Sequence, residues 1–218
     1  MSRRVSLSQS QSVGAVACCA LLAIAWPAVG RSSSEVSASS AAEQGERTRW
    51  SQPARAVSDF TLTDQEGTPQ KFSSLRGRTA LVFFGFSNCP NVCPPTLQKL
   101  RQVQRALQKS GALSTVFVSV DGERDTPAVM KAYLEPFQPG FIGLTGDPRD
   151  VRAIAAQFSA VFFKGPAIDA KGGYNVEHTS QVYLVDRDGR IRAVFFNAPA
   201  EEMTAAARKV MAETVPAS

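Results

Sequence analysis

The spacing of apolar positions changes along the chain, and each period predicts an element. Thr79–Phe86 (TALVFFGF) is a continuous apolar run, the mark of a strand buried on both faces. Ser114–Val120 (STVFVSV) reads the same way. Between them, within Pro94–Lys109, Leu97, Leu100, Val103, Ala106 and Leu107 recur at helical spacing. Thr126-Pro127 opens a helix through about Leu134, with Thr126 as N-cap and Pro127 at the first helical position. Asp147–Phe158 predicts another amphipathic helix and Pro199–Met211 a closing one. Two hairpins complete the pattern: Asp59–Thr63 with Gln70–Phe72 around Asp64-Gln65-Glu66-Gly67, and Gln181–Asp186 with Arg190–Phe195 around Arg187-Asp188-Gly189. This order predicts an α/β fold, a mixed central sheet flanked by helices, with an N-terminal β-hairpin. The β-α-β portion near residues 79–120 is expected to be parallel and right-handed. Phe84, Phe86, Phe162 and Phe163 are expected in the core.

Before residue 57 the pattern is different. Arg3 and Arg4 precede an apolar stretch from Val13 to Val29, and Ala28-Val29-Gly30 offers small residues for a cut before Arg31. Residues 1–30 therefore read as an export signal or, if uncleaved, a single-pass membrane anchor whose contact is confined to residues 13–29. The basic flank would keep the N-terminus cytoplasmic and place the rest outside. Cys18 and Cys19 read as plain leader residues. Residues 31–56 are rich in Ser, Ala and Glu with almost no large apolar groups, the composition of a flexible linker. Residues 57–218 form the domain.

Composition narrows the function classes. Of the 218 residues, 44% are hydrophobic and 20% charged, which excludes a polytopic membrane protein and a wholly disordered one. The formal charge is +5; the leader holds two of the 24 Lys and Arg and no acid, so the remainder is +3. No run of Lys or Arg remains to grip a nucleic-acid backbone, and no nucleic-acid partner is expected. The chain has four Cys and one His, so thiol and imidazole chemistry has almost no choice of residues.

Cys89 and Cys93 stand four apart where the first buried strand gives way to a helix, in Phe86-Ser87-Asn88-Cys89-Pro90-Asn91-Val92-Cys93-Pro94. A helix N-terminus favours anions, so both thiols are expected to ionise more easily than a free cysteine. A structural disulfide would close too short a loop to remove much unfolded-state entropy. His178 lies just before a predicted strand, and loops at one end of an α/β sheet converge on its functional edge. If the two regions meet, two thiolates and one imidazole suit copper, or zinc with a fourth ligand. Asp121-Gly122-Glu123-Arg124-Asp125-Thr126-Pro127 reads either as loop and helix cap or as a rim that orients the site or contacts a partner. Glu177 either tunes the neighbouring imidazole or is solvated.

The loop Cys-Pro-Asn-Val-Cys-Pro after FFGF, with the VSVDGERDTP, FIGLTG and EHTSQVYLVDRDGR segments, resembles the Sco/SenC family from about residue 57 to 213. These are thioredoxin-fold copper proteins that help assemble cytochrome c oxidase. The resemblance implies a thioredoxin-like fold, with Cys89, Cys93 and His178 as ligands of a copper ion, Cu(I) or Cu(II). It implies a tethered domain on the periplasmic side of the inner membrane. The implied partners are the copper-containing subunit of a respiratory oxidase and other periplasmic copper carriers. Asn91 and Glu177 stand where the family usually has Asp; neither change removes a ligand.

Two functions compete. In one the chain is a metallochaperone that passes copper to the oxidase by ligand exchange. In the other Cys89 and Cys93 are the catalytic pair of a thiol–disulfide oxidoreductase acting on cysteines of periplasmic partners. The spacing is not C-x-x-C, and no Pro lies in His178–Val182, which weakens a general oxidoreductase but not a dedicated one. A thiol peroxidase would need an Arg beside one activated Cys, and the loop has none.

Overall fold

The computed structural model describes residues 47–110, 113–168 and 173–213. The leader, residues 1–30, and the first part of the expected linker lie outside them. Ten strands and four helices follow in order. They are β1 (Thr48–Ala56), β2 (Thr61–Asp64), β3 (Pro69–Lys71), β4 (Thr79–Gly85), α1 (Cys93–Leu107), β5 (Leu113–Ser119) and α2 (Pro127–Leu134). Then come β6 (Phe141–Thr145), α3 (Pro148–Gln157), β7 (Phe162–Ala167), β8 (Tyr174–His178), β9 (Val182–Val185), β10 (Arg190–Phe195) and α4 (Ala200–Ala212). Eight strands form one mixed sheet in the order β1-β10-β9-β4-β5-β6-β2-β3, and β7 with β8 forms a separate antiparallel pair.

The centre of the large sheet is where the continuous apolar runs placed it. All seven residues of β4 and all seven of β5 are buried, and the two pair in parallel from Thr79↔Leu113 to Gly85↔Ser119. With both faces covered, alternation would put polar groups into the core, which is why the sequence there is unbroken. Leu97, Leu100, Val103 and Leu107 of α1 are buried; Ala106, expected beside them, is exposed. The hydroxyl of Thr126 accepts from Val129 N at 3.4 Å at the start of α2, and the Asp147 carboxylate accepts from Arg149 N at 2.8 Å at the start of α3. Both hairpins form about the expected turns, with Gly67 and Gly189 at φ 79°.

The structure corrects the domain boundary. Residues 48–56, expected in the linker, are β1, an edge strand paired antiparallel with β10 from Thr48↔Phe195 to Ala56↔Arg190. An edge strand needs few apolar residues because its ladder partner, distant in sequence, supplies the hydrogen bonds. Its one large apolar residue, Trp50, packs on the core with Lys209 Nζ 4.5 Å from its ring. Strands β6, β7 and β8 were not expected either. Phe162 is buried as expected, but Phe163 is 60% exposed, because adjacent strand residues face opposite ways.

If β1 is part of the domain, Trp50→Ala lowers stability by about 1–2 kcal/mol in urea unfolding, the loss for a half-buried aromatic. An unchanged midpoint would mean that β1 contributes nothing to the fold.

Candidate metal centre

The C-terminal end of β4 leads through a short loop into α1, and both cysteines sit on that passage. Cys93 is the first helical residue and fully buried; Cys89 is 7% exposed. Both are free thiols. Pro94 and Pro95 carry no N–H and Thr96 N–H donates to the Val92 carbonyl, so in the first turn, which has no side-chain cap, the Cys93 N–H is the one left to find another acceptor. Cys93 N–H points at Cys89 Sγ, 3.4 Å away. Gly85 makes the packing possible. A Cβ there would stand 2.7 Å from Cys93 Sγ and 2.7 Å from the Phe117 ring, closer than real side chains approach.

His178 arrives from the other sheet. It is the last residue of β8, not part of a loop before a strand as expected, and its ladder partner is Phe162. Its ring stands edge-on to Phe86, with centroids 5.6 Å apart, and lies 6.3 Å from the Phe83 ring. Nδ1 is 3.0 Å from the Thr179 carbonyl oxygen, which can only accept, so Nδ1–H donates there. Nε2 of the neutral ring then carries a free lone pair. It faces Cys93 Sγ at 3.7 Å and Cys89 Sγ at 3.9 Å. The three donor atoms lie within 4.8 Å of one another.

That spacing fits one ion. With metal–sulfur bonds near 2.3 Å and metal–nitrogen bonds near 2.0 Å, donors about 120° apart are separated by about 3.7 Å for sulfur and nitrogen and about 4.0 Å for two sulfurs. Soft sulfur with imidazole suits copper or zinc. Among the described residues there is no further Cys and no second His, so a fourth Cys or His ligand is not offered there.

The electrostatics differ from the expectation for Cys93. Burial pushes its thiol well above the ordinary cysteine range, and the nearby Cys89 and Asp125 add to the rise. The partial positive charge of a helix end does not compensate for loss of water around a fully buried sulfur. Burial lowers the His178 pKa from its ordinary 6.5, which favours the neutral, metal-binding ring. Glu177 is exposed and forms no hydrogen bond with the imidazole; the Thr179 carbonyl orients the ring instead.

The Asp121–Pro127 segment caps α2 through Thr126, as one reading expected, and also turns buried carboxylates toward the site. Glu123 is exposed, whereas Asp121 and Asp125 are buried. The Asp125 carboxylate accepts from Ser87 N at 3.0 Å, from the Ser87 hydroxyl, and from the Ser119 hydroxyl at 2.6 Å. It thereby ties the start of the cysteine loop to the end of β5. Sequence reasoning did not single out Ser87 or Ser119, whose hydroxyls carry no signal until the fold brings them to a carboxylate.

Two outcomes check this geometry. Gly85→Ala lowers stability by about 1–3 kcal/mol, the usual cost of overpacking, and displaces the Cys93 sulfur, seen as lost metal affinity in a chelator competition. As the only imidazole, His178 can be followed by NMR, and its midpoint in the metal-free protein falls below the ordinary 6.5. Because the folded value is the depressed one, this group's contribution to stability is full above the unfolded value. It is lost as pH falls through the folded one. A midpoint at or above 6.5 would place the ring in water.

Comparison with known proteins gives the site a context. A sequence profile described as SCO1/SenC matches residues 48–212. The SCO2-like protein of Rickettsia felis is 35% identical over 139 residues, 63% of this chain and 68% of that protein. The copper-bound structure of ScoI from Bradyrhizobium japonicum superposes with a TM-score of 0.65 at 39% identity, over 71% of this chain and 99% of that one. BsSco, a member of the Sco family of cytochrome c oxidase assembly proteins in which a disulfide switch was identified, gives 0.61 at 26% identity over 74% and 96%.

Proposed function

The chain belongs to the SCO1/SenC family, and from that premise we propose that it binds one copper ion through Cys89, Cys93 and His178 and delivers it to a respiratory oxidase. The observation that carries this reading is the meeting of two sulfurs and an imidazole, from positions 85 and 89 residues apart, with the imidazole lone pair turned toward both sulfurs. The copper-bound relative supports the choice of metal, and the oxidase-assembly relative supports the recipient. The basic and apolar leader supports export, with the domain on the periplasmic side.

Copper is cargo in this reading. Three ligands leave a position at which an incoming thiolate can bind before one of this chain's ligands departs. Cys89 is the slightly more exposed of the two buried residues, so exchange begins there and the fully buried Cys93 leaves later. The neutral His178 ring binds without first losing a proton, whereas the thiols must release theirs. Copper uptake therefore lowers the pH of a weakly buffered solution.

A second reading rests on the same asymmetry of burial. Cys89 as thiolate would attack a partner disulfide, forming a mixed disulfide and expelling one partner thiolate. Cys93 would then displace the second, leaving a Cys89–Cys93 disulfide and a reduced partner, with two electrons transferred. His178 separates the readings, since metal binding needs it and exchange does not.

The test uses the full-length protein with Cys18→Ser and Cys19→Ser, reduced and loaded without oxygen. About one copper per chain is expected, and His178→Ala weakens it at least about tenfold against a chelator, or about 1.4 kcal/mol. Equal binding in both proteins would remove the three-ligand site and favour the dithiol reading.

A further inference from the structure

The two halves of the metal centre belong to different sheets. Cys89 and Cys93 follow β4 of the eight-stranded sheet; His178 ends the separate β7–β8 pair. Among the described residues no backbone–backbone hydrogen bond joins that pair to the large sheet. Phe162 and Val176 give it an apolar footing, but apolar burial is non-directional and does not fix a ring to a fraction of an ångström.

One loop touches both halves. From Asp121–Asp125, Asp125 holds Ser87, two residues before Cys89. From the same loop, Asp121 Oδ1 accepts from the Tyr174 hydroxyl at 2.6 Å, and Arg124 Nη1 donates to the Tyr174 carbonyl oxygen at 2.9 Å. Tyr174 opens the strand that His178 closes. The Arg124 guanidinium lies 3.8 Å from the Tyr174 ring and 5.8 Å from Phe86, the ring against which His178 stands. Asp121, 4% exposed, also accepts from Arg124. On the outside, Lys164 of β7 pairs with Glu123 at 2.7 Å and lies 3.9 Å from the Tyr174 ring. The loop itself is pinned: a Cβ on Gly122 would fall 2.0 Å from the Gly146 carbonyl oxygen, so its backbone lies directly on the segment after β6.

We propose that Asp121–Asp125 is a brace that sets the thiol–imidazole separation, with Arg124 and Tyr174 as positioning residues acting through His178. The inference rests on the three-ligand reading and adds residues that touch no metal. Planar Arg is suited to the place, because one guanidinium must meet a carboxylate, a carbonyl and an aromatic face together.

A double-mutant cycle tests it, on the full-length protein with Cys18→Ser and Cys19→Ser. Arg124→Gln is expected to weaken copper binding about tenfold where His178 is present and less than about twofold in the His178→Ala background, since residues acting through one partner are non-additive. Tyr174→Phe removes only one hydroxyl and is expected to weaken binding about fivefold, which keeps the test open should Arg124→Gln fail to fold. In the metal-free Arg124→Gln protein, amides of Val176–His178 exchange faster with solvent while those of β4 and β5 are unchanged. Equal weakening in both backgrounds, or none in either, would overturn the brace. If His178→Ala itself leaves copper binding intact, the three-ligand reading falls. Amide exchange then decides the brace alone: faster exchange in the hairpin supports it and unchanged exchange overturns it.

Discussion

A metal held by two thiolates and an imidazole requires its donor atoms within about 4 Å of one another. Here His178 is 85 residues from one sulfur and 89 from the other. Closing so long a loop is unfavourable in chain entropy, and a few contacts at the site would not hold it closed. The doubly buried β4 and β5 supply the rigid floor. Gly85 lets the first turn of α1 settle onto that floor, with Cys93 Sγ in the space where a side chain would otherwise be. The exact footing of the sulfur thus depends on the smallest residue of the strand beneath it.

Placing the donors in a dry pocket shapes their chemistry. Burial keeps the Cys93 thiol protonated and the His178 ring neutral, so neither of these two donors holds an unpaired charge in the metal-free protein. Asp125 is the exception, a carboxylate with no solvent exposure, and it is satisfied by backbone and hydroxyl donors instead of a cation. Its negative charge disfavours a bare thiolate at Cys93 and favours a cation beside it. A metal ion entering between these donors would therefore have to displace the Cys93 proton.

The division into two sheets gives the site two mechanical parts. The cysteines ride on the most deeply buried elements, whereas the histidine rides on a two-stranded hairpin that carries Phe163 on its outer surface. Two-stranded pairs are marginal on their own and take their position from what they dock against. A donor on such a pair can be held or released with little disturbance to the core.

The sequence by itself determined a good deal. Continuous apolar runs specified β4 and β5, helical spacing specified α1, and Thr126 and Asp147 marked helix starts, because each signal is local and periodic. Cys89, Cys93 and His178 stood out because four thiols and one imidazole left so few candidates, and the resemblance to the Sco/SenC family implied them as ligands. Tertiary structure alone decided the rest. Strand β1 is polar and gains its hydrogen bonds from β10, more than a hundred residues away, so no local pattern shows it. The high pKa of Cys93 depends on how much water the fold removes, against which the helix-end argument was too weak. The roles of Ser87, Ser119 and Tyr174 exist only in the pairings that the fold makes, since a hydroxyl or a phenol has no address until a buried carboxylate stands opposite it.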